Sequence, residues 1–316
     1  SAWAPATILT YNGLRFDEEV LRHAFFTHLL PPYATQGPGL KRADVLVMLR
    51  VVRLLEPGTI TIPSGESGKP SLKLGDVCRA NGIALHEDDA HDAMADARAT
   101  LALFKHLREV APTTMALMLA NAHKSGPQAM LAGDDPVLLG GMTAMVPVIG
   151  IAPSPRNGAA WAVADLSVDP ATYLDGTPEE IAALLTAKGQ RPIRTVRTNV
   201  QLILVGWEHG AHALPVDRLD DAVYRQRAVQ IRDHVGFRKN LLLALAGQYA
   251  DQEPSPEPAL ARNLVGSTPR LRCWPVQGRT VDGLRQPADV LGCAGASLAR
   301  GAGQRTGLAA PSPDDR

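Results

Sequence analysis

Cysteine is scarce in this 316-residue chain: Cys78, Cys273 and Cys293 are its three cysteines, and no two stand close together. That excludes a disulfide framework and a zinc site built from thiolates alone, and it points to a reducing compartment. Net charge is absent too, because 32 Lys and Arg balance 32 Asp and Glu. Any anionic partner must then be held by a local groove, since no global field draws it in. Long apolar runs are also missing. The stretch Leu138–Ala152 is broken by Gly140, Gly141, Pro147 and Gly150, and it falls short of the ~20 residues that cross a bilayer. No charged-then-apolar leader opens the sequence. Together these absences lead to the expectation of a soluble, cytoplasmic protein without membrane contact, and a monomer is assumed.

What is present suits about two domains at ~150 residues each, with 45% apolar residues to fill their cores. Residues 1–112 read as alternating short strands and amphipathic helices. The apolar run Ala6–Leu9 ends at Tyr11, Asn12 and Gly13, a strand followed by a turn, with a helix after it. A second helical run, Asp92–Val110, stops before Pro112, where the first domain is expected to close. Residues 113–253 mix a helix near Met115–Ala122 with β-rich runs at Met145–Ile151, Ala159–Leu166 and Val200–Trp207, then a charged helical stretch, Asp220–Tyr249. Pro254, Pro256 and Pro258 mark a linker. The remainder of 254–316 is rich in Gly and Arg without Lys, and it is expected to be disordered or translated out of frame.

Helical spacing sorts the acids that follow Gly13. At 100° per residue Asp17 shares a stripe with Val20, Leu21, Ala24 and Phe25, whereas Glu18 and Glu19 fall with Arg22. Asp17 is therefore expected to point inward, where a carboxylate needs a hydrogen bond, a counter-charge or a cation. An acid in a first helical turn also suits the helix dipole, without further role. In the second helix Asp96 aligns with Ala99, Thr100, Leu103 and Leu107, so a second acid is expected to face inward, while Asp92 suits a helix cap. His91 stands five residues before Asp96. Two inward acids and an imidazole suit metal-assisted hydrolysis, in which carboxylates hold a hard cation and a histidine takes a proton from water.

Tyr11-Asn12-Gly13-Leu14-Arg15-Phe16-Asp17-Glu18-Glu19-Val20 and Ala90-His91-Asp92-Ala93-Met94-Ala95-Asp96 resemble the second and third motifs of DEDD-type 3′→5′ exonucleases, in particular the bacterial exodeoxyribonuclease I family of the DEDDh group. Pro70-Ser71-Leu72-Lys73-Leu74 resembles that family's substrate-contacting segment, and Ala80-Asn81-Gly82-Ile83 leads into the histidine motif. The resemblance implies an α/β, RNase H-like exonuclease domain, truncated at its N-terminus, followed by a β-rich, SH3-like α+β domain. It implies removal of nucleotides from the 3′ end of single-stranded DNA with two Mg2+ ions, in DNA repair or recombination. Asp17 and Asp96 would be metal-binding acids, and His91 the general base. Asn12, Tyr33 and Lys73 would contact the strand, although Asn12 before Gly13 also suits a plain turn and Lys73 a solvated surface.

The chain departs from the family in one respect that matters chemically: no Asp-x-Glu, and indeed no acid, precedes Asp17. Half of a four-carboxylate cage is then missing, and the chain resembles a fragment without the first strands. It is expected to be inactive or nearly so as it stands, and to expose core surface and a sheet edge. Two alternatives stay open: a module that binds single-stranded DNA ends without cutting, and a DEDD-type exoribonuclease.

Overall fold

The structure is a computed structural model and describes residues 4–14, 16–28, 30–84, 93–141, 143–189 and 191–248. These belong to one unit, which ends at Ser255. His91, Asp92 and the expected tail lie outside the described residues.

The N-terminal part opens as a β-α-β unit. Strand β1 (Ala6–Thr10) leads through helix α1 (Asp17–Thr27) to β2 (Leu40–Asp44), and the strands pair in parallel with Ala6 opposite Leu40 and Thr10 opposite Asp44. Helix α2 (Val45–Leu55) follows directly, and its near-continuous apolar sequence buries seven residues, Met48, Leu49 and Val52 among them. Asp44 caps it by accepting from Leu46 N. Helices α3 (Leu74–Ala80) and α4 (Ala93–Val110) pack together, and α4 also packs on α2 and β1 through a stripe of Ala99, Thr100, Leu103, Phe104 and Leu107. Pro112 was expected only to stop this helix. It also begins the next one, α5 (Pro112–Ala120), because a first-turn position needs no N–H.

After α6 (Ser125–Ala132), an antiparallel five-stranded sheet forms from β3 (Val137–Gly140), β4 (Met145–Ser154), β5 (Asn157–Asp165), β6 (Ile193–Arg197) and β7 (Leu204–Gly206), in the order β6-β5-β4-β3-β7. On one face Leu131 of α6 packs with Val137, Val148 and Val163. Gly150 permits that approach, since a Cβ there would stand 2.1 Å from the Leu131 carbonyl oxygen. The other face joins the main core, to which α7 (Pro178–Thr186), α9 (Asp221–Asp233) and α10 (Val235–Gly247) contribute Ile181, Tyr224, Phe237 and Leu241; the short α8 (Trp207–Gly210) lies between. This core is continuous from Ala43 to Leu245, and Leu107, Ala111 and Met115 beside the expected boundary near residue 112 all belong to it.

Two expectations need correction here. Val200–Trp207 is a strand only over Leu204–Gly206, because Gln201 takes φ +48°, outside the extended region. The charged stretch expected as one helix is two, Asp221–Asp233 and Val235–Gly247, parted at His234, whose ring accepts from Phe237 N and so caps the second; Tyr249 lies outside the described residues.

Candidate active site

Thr10 and Asp44 end the two parallel strands side by side, the edge at which α/β folds place ligands. The turn leaving this edge, residues 11–14, is fixed by three anchors. The Tyr11 hydroxyl donates to the Leu72 carbonyl at 2.5 Å, which joins the loop to the segment carrying Lys73. Asp44 accepts from Asn12 N at 2.8 Å and from Leu14 N at 3.4 Å. Gly13 is buried, and a Cβ on it would meet Thr10 Cβ at 2.4 Å and Asp17 Oδ2 at 2.7 Å, so only glycine lets α1 start this close to β1. Burial also pushes the Tyr11 hydroxyl well above its ordinary range, with Cys78 and Asp44 adding to the rise, so Tyr11 serves as a neutral donor.

Asp44 itself was not among the residues singled out from sequence. It is 2% exposed, and burial raises its pKa while the N–H groups of Asn12, Leu14, Leu46 and Val47 pull it back down. The signal was legible: an Asp before the apolar run Val45–Leu55 is a helix N-cap pattern.

The inward-facing expectation for Asp17 is overturned, because Asp17, Val20, Leu21 and Ala24 are all exposed. The half-buried stripe of α1 is instead Glu18, Arg22, Phe25 and Phe26. Its charge is tolerated because Arg42 of β2 reaches Glu18 at 3.1 Å and Thr35 donates to the same oxygen at 3.0 Å. Spacing put Phe25 with Asp17 and Glu19 with Glu18, whereas Phe25 shares the half-buried stripe and Glu19 is exposed, and it did not reveal that a neighbouring strand offers a guanidinium to Glu18. Asp96 is exposed as well. It does lie on the buried stripe of α4, but Ala93, Met94 and Asp96 form a first turn that projects past the core.

Asn12 is exposed with φ +63°, a left-handed conformation that Asn tolerates better than most residues. Lys73 is exposed at the start of α3, with its N–H on Ser71 Oγ at 3.4 Å. The Tyr11–Leu72 bond brings these two residues' segments together. Tyr33 is half-buried, with the Arg22 guanidinium carbon 6.0 Å from its ring centroid, so it belongs to the α1 side. Among the described residues no hydrogen bond or ion pair joins Asp17 to Asp96, and no three His, Cys, Asp or Glu side chains gather as a metal site. Hard divalent cations take six or more oxygen ligands, several of them from carboxylates when the protein supplies the cage. The described donors therefore do not fit a two-ion cage.

No protein-family model matches the chain. Over 164 residues it is 32% identical to exodeoxyribonuclease I of Haemophilus influenzae and 34% identical to that of Escherichia coli, in each case over 52% of this chain and 33% of the relative. The chain thus matches about a third of the length of these curated relatives. The solved structure of a moderately thermophilic exonuclease I from Methylocaldum szegediense superposes with a TM-score of 0.65 and 28% identity, covering 88% of this chain and 63% of that one. E. coli exonuclease I in complex with a dA16 oligonucleotide gives 0.63 and 28%, covering 79% and 56%. In sequence and in mixed α/β fold alike, the chain is similar to bacterial exodeoxyribonuclease I.

Proposed function

We propose that this chain is the strand-binding part of a 3′→5′ exodeoxyribonuclease that acts on single-stranded DNA. One observation carries the reading: the Tyr11–Leu72 hydrogen bond ties the loop of Asn12 to the segment of Lys73, the two pieces that resemble the family's substrate contacts. In this reading the Asn12 amide and the Lys73 ammonium hold the sugar-phosphate backbone, and the Tyr33 ring stacks on a base, a contact worth ~1–3 kcal/mol. The N-terminal part corresponds to an RNase H-like exonuclease domain and the five-stranded sheet to an SH3-like domain beside it.

By the same resemblance Asp17 and Asp96 would bind Mg2+ and His91 would act as general base. Among the described residues, two exposed carboxylates without a third donor do not make the cage such a site needs. The described residues are therefore assigned strand binding, and cleavage calls for metal ligands besides Asp17 and Asp96.

The test uses the full chain with fluorescent oligonucleotides, in anisotropy and in a mononucleotide-release assay with Mg2+. Tighter binding of single-stranded DNA than of duplex or RNA, with no release, is the expected result. Equal binding of duplex would remove the single-strand reading, a preference for RNA would favour the ribonuclease, and brisk Mg2+-dependent release would show that this chain holds a working metal site.

A further inference from the structure

Two non-glycine residues take a positive φ among the described residues, Asn12 at +63° and Gln201 at +48°, and both are anchored on Asp44. The Asp44 carboxylate accepts from Asn12 N and Leu14 N, and the Asp44 N–H donates to Gln201 Oε1. Gln201 is 4% exposed, belongs to the β6–β7 connection, and donates its amide to the Met118 carbonyl at 3.3 Å. Backbone held in a sparsely populated region persists only where its surroundings over-determine it, and such residues cluster at functional sites.

A helix cap alone does not account for this arrangement. Capping α2 requires one acceptor for Leu46 N, at 3.0 Å from Oδ1. The same oxygen also takes Asn12 N, and Oδ2 takes Leu14 N. The carboxylate is buried at a cost that a neutral cap such as Ser avoids, and what it adds is a grip on the turn that carries Asn12 and leads towards α1.

We propose that Asp44 is a positioning residue, which locks the Asn12–Leu14 turn for the end of a bound strand while separately capping α2, and that Gln201 holds Asp44 in place from the sheet side. The proposal rests on the strand-binding reading given above.

Asp44→Ser and Asp44→Asn separate the two roles. Serine caps a helix about as well as Asp, but its single short hydroxyl does not bridge two loop amides. Asparagine keeps an oxygen for Asn12 N and Leu46 N. In the full chain, Asp44→Ser is expected to bind a single-stranded oligodeoxynucleotide about tenfold more weakly, the loss of roughly one hydrogen-bonded anchor, and Asp44→Asn within about threefold of the parent. Amide exchange is expected to speed up by about tenfold at Asn12–Leu14 in Asp44→Ser while Leu49–Leu55 stay protected. Parent-like affinity and loop protection in Asp44→Ser would overturn the proposal, as would deprotection spread equally along α2, which marks a merely structural role. If the parent chain binds no single-stranded DNA, the strand-binding reading fails, and with it Asp44's role at a strand end. The exchange experiment then still decides whether Asp44 holds the loop.

Discussion

Helices α1 and α2 are each 11 residues long and flank the same parallel strand pair, yet α2 buries seven residues and α1 none. α2 is apolar on nearly every side, and full burial of an aliphatic side chain contributes roughly 1.5–3 kcal/mol, so it anchors the core. α1 carries Asp17, Glu18 and Glu19 in its first turn and leaves Val20 and Leu21 in solvent, with Phe16 exposed just before it. One helix is specified by what it buries. The other is held at its N-terminal end, by the Gly13 turn and by the Glu18–Arg42 pair, and it presents the motif acid outward.

The largest expected break in that comparison is Leu49→Ala in α2, where a fully buried side chain leaves a cavity; a loss of about 2–5 kcal/mol in urea unfolding is expected. Cys78, buried on α3, extends the buried side of the comparison. Burial pushes its thiol from an ordinary 9.0 to about 11, so at pH 8 its thiolate fraction falls by about 100-fold. Iodoacetamide labelling of the Cys78 peptide, read by mass spectrometry, should be correspondingly slow and should recover as pH rises towards 11. Ordinary labelling rates in the folded chain would mean that this region is open.

Smaller effects separate the two acids of α1. Glu18→Ala takes the carboxylate from Arg42, whose side chain is 18% exposed and keeps only the Asn199 carbonyl, and about 1–2 kcal/mol is expected in the same unfolding measurement. Glu19 pairs with Arg22 on the surface, and Glu19→Ala should change stability by less than about 0.5 kcal/mol. The smallest effect belongs to Leu21→Ala, 40% exposed, which should stay within about 0.5 kcal/mol of the parent. A cost near that of Leu49→Ala would show that α1 is packed after all.

Elements whose pattern comes from their own sequence were legible. The 3.6-residue stripe gave α4 to within one residue, the apolar runs gave β4 and β5, and the Asn-Gly turn placed the start of α1's loop. What depended on a neighbour was not. The α1 face turned on Arg42, a residue from the next strand, and the depth of Asp96 turned on where the core ends beneath α4. Gln201 interrupted a run that otherwise reads as strand. The segments of the candidate site were likewise visible in their motifs, while the residue that binds them together, Asp44, carried only the ordinary mark of a helix cap.

The salt dependence of single-stranded DNA binding tests the central claim most directly. If Lys73 holds a phosphate, Lys73→Ala should weaken binding for every sequence and lower the slope of log K against log salt by about 0.7, one counterion's worth for a single strand. An unchanged slope, with the parent binding duplex and single strands alike, would contradict the account.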